Sequence, residues 1–150
     1  SQPGEGSTFS FDLVAPVAPA PARTLPSDRV PEFAGRRILI LDANTTSRRI
    51  LALQTAAWGL QPSTPSTAAE ALEAAGQDEG FALALVDPNF PGLEPERLNG
   101  LLARRGEATP TIVLTALGRG RASVGADAGG FLSRPLKPAV LFDLLRQLLG

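Results

Sequence analysis

Four polar side chains stand directly after short, largely apolar segments of this 150-residue chain. The four residues are Asp42, Asp87, Thr115 and Arg134. The segments before them cover residues 38–41, 81–86, 111–114 and 131–133. Carboxylates can act as nucleophiles or bind hard cations, while hydroxyl and guanidinium groups donate hydrogen bonds to anions. Four such groups at equivalent positions predict a shared ligand site.

The segments that carry these side chains alternate with helical patterns from residue 36 onward. Short, continuous apolar segments are typical of strands buried on both faces of a sheet, and a further edge strand is predicted over 60–64. Apolar residues at helical spacing predict helices over about 45–58, 68–75, 94–105 and 138–148. The segment 117–130 holds five glycines and is weakly helical at best. Five strand–helix repeats predict a parallel sheet covered on both faces, with ligands beyond the carboxyl ends of its strands.

Two of the predicted helices have patterns that indicate how they begin. In the first, a capping residue is expected within 45–47, and Ile50, Leu53 and Ala57, with Leu51, follow at helical spacing. In the second, Thr67 followed by Glu70 forms a capping-box pattern.

Composition excludes several classes of function. The chain has no Cys and no His, which excludes disulfides, zinc-finger sites, Cys or His nucleophiles and a phosphorylatable histidine. Its 14 basic and 15 acidic residues give a net charge of −1, so no nucleic-acid polymer is expected as a partner. No apolar run is long enough to span a bilayer and no leader pattern is visible. We therefore expect a cytoplasmic domain without membrane contact of its own, whether or not its parent protein is membrane-anchored.

Four motifs from about residue 36 onward resemble, in order and spacing, the receiver domains of hybrid sensor histidine kinases. They lie at residues 41–51, 86–92, 114–116 and 131–138. The resemblance implies an α/β, flavodoxin-like fold with a five-stranded parallel sheet and helices on both faces. Because 117–130 is rich in glycine, the fourth helix of that fold is expected to be short or irregular.

The first 34 residues predict a different organisation. Residues 1–13, with Gly4-Glu5-Gly6-Ser7, resemble the end of a histidine-kinase ATP-binding domain. Residues 14–34 alternate Pro and Ala in part and predict an extended linker, which leaves 35–150 as the receiver-like domain. The chain is then a piece of a longer protein, and residues 1–34 are expected to be dispensable for folding of the rest.

The resemblance also assigns roles to single residues. It makes Asp87 the candidate phosphoacceptor, which would take a phosphoryl group from a phosphohistidine. Residues expected to contact phosphate or to take part in the switch are Thr115, Ala116, Phe131 and Arg134. Candidate Mg²⁺ ligands are Asp42, Asp87 and the carbonyl of Asn89, since Mg²⁺ prefers oxygen donors.

Three residues depart from the pattern of the family. Ala43 stands where the family has a second acidic residue, Arg134 stands where it has a lysine, and Pro88 removes a backbone N–H directly after Asp87. Loss of one carboxylate of three predicts that Mg²⁺ binding is weak or absent.

These departures predict a pseudo-receiver: a regulatory module that gates kinase or phosphotransfer activity through protein contacts. Its expected partners are the histidine-kinase core of the same protein, another receiver or a phosphotransfer domain. One alternative is a working phosphoacceptor at Asp87 with weak Mg²⁺ binding. Another is a sensor for a nucleotide second messenger, with Arg119 and Arg121 as candidate anion-binding residues. No base–nucleophile pair is visible, so enzymatic activity of this piece is not expected.

Overall fold

The computed structural model describes residues 9–14, 16, 30–77, 79–103, 109–115 and 129–150. The strands are β1 Arg37–Leu41, β2 Gln61–Ser63, β3 Leu83–Val86, β4 Thr111–Thr115 and β5 Gly130–Ser133. The helices are α1 Thr45–Ala57, α2 Ala68–Ala75, α3 Pro95–Leu102 and α4 Pro138–Leu149, and a short 3-10 helix covers Pro31–Phe33. The predicted strands and the four predicted helices are present, with ends that shift by a few residues.

The five strands form one parallel sheet in the order β2-β1-β3-β4-β5. The chain moves outward in one direction from β1 to β2, and in the other direction from β3 to β5. The strand order therefore reverses between β1 and β3, where Leu41 pairs with Val86. In open parallel sheets, ligands bind beyond the carboxyl ends of the strands at this point of reversal. Asp42 and Asp87 are the next residues on these two strands.

Two apolar layers cover the sheet, one on each face. Helices α1 and α4 pack on one face through Leu51, Leu141 and Leu145, and helices α2 and α3 pack on the other through Ala71 and Leu98. The central strands β1 and β3 contribute side chains alternately to both layers. This arrangement is the predicted flavodoxin-like fold.

The N-cap of α1 differs from the predicted one, and its buried face includes a polar residue. Asn44, not a residue of 45–47, is the N-cap, and its side chain accepts the Ser47 N–H. Leu51 and Thr55 are buried, whereas Ile50 is 49% and Leu53 is 63% exposed. A threonine can be buried here because its hydroxyl donates to the carbonyl of Leu51 at 2.8 Å.

The capping box of α2 is confirmed in a modified form. The Thr67 hydroxyl accepts the Glu70 N–H at 3.2 Å. The Glu70 carboxylate reaches back one residue further than the pattern predicts and accepts the Ser66 N–H at 2.7 Å. Both groups satisfy backbone N–H donors at the start of the helix.

The segment directly before β1 packs against the domain. Phe33 is fully buried and meets Phe142 edge-on with 5.8 Å between ring centroids. The Val30 N–H donates to the Trp58 carbonyl at 3.0 Å, which ties this segment to the end of α1. The division of the chain into kinase tail, linker and domain stays a prediction. The expectation that all of 1–34 is dispensable for folding is wrong for Phe33, because its removal would open the core.

The segment in which a short or irregular fourth helix is predicted falls largely outside the described residues, which resume at 129. Among the described residues, no helix is long and apolar enough to cross a membrane.

Candidate functional site

The two site carboxylates lie side by side at the reversal point of the sheet. The Asp87 N–H donates to the Leu41 carbonyl at 2.7 Å and extends the pairing of β1 with β3 by one step. The Asp42 side chain is fully buried and that of Asp87 is 10% exposed. The sequence prediction that these residues come together is confirmed by this geometry.

Arg134 reaches both carboxylates from the end of β5. Its backbone N–H donates to the Thr115 carbonyl at 2.9 Å, which fixes the start of its side chain beside β4. Its Nη2 atom then lies 3.0 Å from Oδ2 of Asp42 and 3.0 Å from Oδ2 of Asp87. A single guanidinium nitrogen thus joins the two acids.

Asp42 is also held by groups at the start of α1. Its Oδ1 accepts the Asn44 N–H at 2.8 Å, and its Oδ2 accepts the Ser47 hydroxyl at 2.6 Å. The Arg134 Nη1 donates weakly to the same Ser47 hydroxyl at 3.4 Å. Sequence reasoning treated Ser47 only as a capping residue. A hydroxyl five residues after Asp42, in the first turn of a helix that follows a strand, was the sequence signal for this contact.

Asp87 receives its remaining hydrogen bonds from its own loop. Its Oδ1 accepts the Asn89 backbone N–H at 2.9 Å and the Asn89 Nδ2 at 3.2 Å. Because Pro88 has no N–H, the first amide available after Asp87 is that of Asn89. Both oxygens of Asp87 are therefore occupied by donors from within the chain.

Comparison with known proteins agrees with this fold. No family model matches the chain. The sensor protein TorS of Escherichia coli is 33% identical over 114 residues, which cover 76% of this chain and 12% of the length of TorS. A receiver domain protein (CheY-like) from Methanospirillum hungatei is 25% identical, with a TM-score of 0.65 over 77% of this chain and 94% of that one. The chain contains a CheY-like receiver domain.

A second solved structure repeats the fold of this receiver domain. The receiver domain of a sensor histidine kinase from Pseudomonas aeruginosa, with a magnesium ion coordinated in its active-site cleft, is 22% identical. Its TM-score is 0.61 over 77% of this chain and 98% of that one. The chain is thus similar to receiver domains of two-component signalling, including those of sensor kinases.

The residues of this receiver domain fit a divalent cation poorly. Within the part of the chain that the structure describes, the site offers the carboxylates of Asp42 and Asp87, and Ala43 presents a methyl group. No group of three or more acidic, His or Cys side chains that could hold a metal occurs among the described residues. The Arg134 Nη2 already lies against both carboxylates. A cation would have to displace it, and the metal-ligand role of the Asn89 carbonyl stays a prediction.

The other predicted site residues fall into two groups. Thr115 ends β4 and Phe131 lies half-buried in β5, both in the expected strands. Ala116, Arg119 and Arg121 lie outside the described residues. The phosphate-contacting and switch roles of the first two, and the nucleotide-sensor alternative that rests on Arg119 and Arg121, therefore stay predictions.

Proposed function

We propose that this receiver domain is a non-catalytic regulatory module of a hybrid histidine kinase, in which Asp87 accepts phosphate poorly. It acts through contacts with the kinase core of its parent protein. The single observation that carries the proposal is the engagement of both Asp87 oxygens, by Asn89 on one side and by Arg134 on the other.

A carboxylate that attacks phosphorus needs a free lone pair and room for in-line approach. In this domain, the Arg134 hydrogen bond at 3.0 Å lowers the nucleophilicity of Oδ2 and places a guanidinium group beside the attacking oxygen. To free this oxygen fully, Arg134 would have to separate from both Asp87 and buried Asp42, which is an unfavourable separation of charges. Weak or absent Mg²⁺ binding removes the cation that neutralises a phosphoryl group in this chemistry.

The exposed apolar side chains of α1 support a protein contact beside the site. Ile50 and Leu53 lie on the helix that holds Asp42 through Asn44 and Ser47. The helix has arginines at 48 and 49 and no acidic residue. An apolar surface with a positive rim suits an amphipathic, acidic helix of the kinase core.

A parent kinase also accounts for the first described segment. Phe9, Phe11 and Leu13 alternate with polar residues, as in a half-buried strand, yet each is at least 80% exposed. Such a pattern supports assignment of 1–13 to the ATP-binding domain of the parent.

The phosphorylation part of the proposal is tested with acetyl phosphate and Mg²⁺, with intact-mass detection of phosphate on Asp87. We expect little modification of the natural chain. The double variant Ala43→Asp/Arg134→Lys, which restores the family pattern, should gain modification clearly. Asp87→Asn is the matched negative control. Efficient modification of the natural chain would refute the proposal and favour the working phosphoacceptor.

The partner contact is tested by titrating the domain with the kinase core of its parent. Leu53→Ser should weaken binding roughly tenfold or more, because a contact side chain of this size contributes about 1–3 kcal/mol. Ala69→Ser, at an exposed position of α2 on the opposite face of the sheet, is the control and should bind normally. Equal binding by both variants would contradict a contact through α1.

A further inference from the structure

We propose that the Arg134 guanidinium is a built-in replacement for the divalent cation, so that the site keeps its geometry without metal. The inference deepens the proposed function, on which it rests for the view that Asp87 is not ordinarily phosphorylated. It also assigns a structural role to Arg134: this side chain holds Asp42 and Asp87 together.

The first support is the position of one atom. Nη2 of Arg134 carries two hydrogens and lies at 3.0 Å from one oxygen of each acid. A group that merely paired with one carboxylate would not be equidistant from two. A bridging cation between two carboxylates is the arrangement that a metal provides in metal-dependent sites.

The second support is the balance of charge. Asp42 and Asp87 are almost fully buried and bring two formal negative charges to the site, while Arg134 supplies one positive charge. The remaining negative charge is met by hydrogen bonds from Asn44, Ser47 and Asn89. Among the described residues, every buried side-chain nitrogen and oxygen atom has a partner.

The same balance of charge explains why an alanine stands at position 43. A third carboxylate at this position would raise the negative charge of the site to three against the single charge of Arg134. Mg²⁺ can offset such an excess, whereas one guanidinium cannot. The alanine at 43 and the arginine at 134 are thus complementary substitutions, and together they replace a metal site by an internal ion pair.

The test is chemical rescue by Mg²⁺, read from thermal unfolding of the full chain. The natural chain should show no change of melting temperature between EDTA and roughly 10 mM Mg²⁺. Arg134→Ala leaves two buried carboxylates without their cation and should lower the melting temperature by on the order of 10 °C in EDTA. Mg²⁺ should then recover about 4 °C of this loss in the variant.

The matched control is Arg48→Ala, which removes a neighbouring arginine that donates to the backbone carbonyl of Asp42 and, among the described residues, forms no ion pair with either carboxylate of the site. It should respond to Mg²⁺ as the natural chain does. The double variant Arg134→Ala/Ala43→Asp should respond to lower Mg²⁺ concentrations than Arg134→Ala, because it restores a third carboxylate.

Two results would overturn the inference: stabilisation of the natural chain by Mg²⁺ as large as that of Arg134→Ala, or no response in Arg134→Ala. If Arg134→Ala does not fold even in Mg²⁺, the folding equilibrium constants of Arg134→Gln and of the double variant Asp42→Asn/Arg134→Gln are compared instead. Removal of the charge at Asp42 should then raise the folding equilibrium constant about tenfold; an unchanged or lower constant refutes the role of Arg134. Phosphorylation of the natural chain is a separate observable, so failure of the proposed function is recognised independently.

Discussion

The two edges of the sheet hold helix α1 by different chemistry. At the carboxyl edge, the first turn of α1 is joined to Asp42 by the Ser47 hydroxyl and, through Asp42, to Arg134. At the amino edge, Trp58 ends the helix and meets Phe142 edge-on with 5.1 Å between ring centroids. One end is fixed by a cluster of charged groups, and the other by aromatic packing together with backbone hydrogen bonds from the segment before β1.

This difference indicates which end of α1 can respond to a partner or an ion. An interaction between charged groups depends strongly on protonation, metal binding and competing anions. Packing around Phe33 depends on shape and apolar area alone. Changes at the carboxyl edge are therefore expected to alter regulation, and changes at the amino edge to alter stability without altering the response to ligands.

The largest expected effect is that of Phe33→Ala. Truncation of a fully buried phenylalanine should lower the free energy of unfolding by about 3–5 kcal/mol, measured by urea denaturation. Phe9→Ala is the control, since Phe9 is 91% exposed, and should change stability by less than about 0.5 kcal/mol. Equal stability of the two variants would mean that the segment before β1 is not part of the core.

More of the carboxyl edge than of the amino edge could be predicted from the sequence. Asp42 and Asp87 each follow a continuous apolar segment, and strand ends in a parallel sheet meet at one edge. Phe33, by contrast, stands alone among prolines and charged residues, where no periodicity marks it as buried. Its burial depends on a tertiary contact with Phe142, which local pattern cannot show.

The position of the Arg134 Nη2 atom, equally far from both carboxylates, also could not be predicted from the sequence. The strand-end pattern placed Arg134 at the same site as Asp42 and Asp87, but the contact of one atom with both acids depends on how far the side chain reaches from the end of β5. The burial of Thr55 in α1 has a similar cause, because this side chain is polar and is buried only through hydrogen bonds to its own helix backbone.

A smaller effect is expected from Asp42→Asn at the carboxyl edge. The change keeps the shape of the side chain but removes the negative charge that faces Arg134 at 3.0 Å. We expect a loss of about 2 kcal/mol in the free energy of unfolding, because the ion pair is lost and the donors of Asn44 and Ser47 no longer meet a charged acceptor. Asp143→Asn, at an exposed position of α4, should be neutral in the same urea titration. A neutral result for both variants would mean that the ion pair does not stabilise this edge.

The smallest effect separates backbone strain from packing at the amino edge. Gly59 follows α1 with a φ of +103°, and its carbonyl accepts the Gly35 N–H at 3.1 Å. A Cβ atom here would meet its nearest neighbour, the Cα of Ala34, at an ordinary 3.7 Å. Gly59→Ala should therefore lower the free energy of unfolding through strain alone, by about 1–2 kcal/mol.

Gly100→Ala is the matched control for this change. Gly100 lies within α3, where an added Cβ atom meets nothing within 4 Å. In a helix, the same substitution should raise the free energy of unfolding by about 0.5–1 kcal/mol. Opposite signs for the two variants in urea denaturation are expected. A loss at Gly59 well above about 2 kcal/mol would mean that packing against Ala34, and not backbone strain, limits this turn.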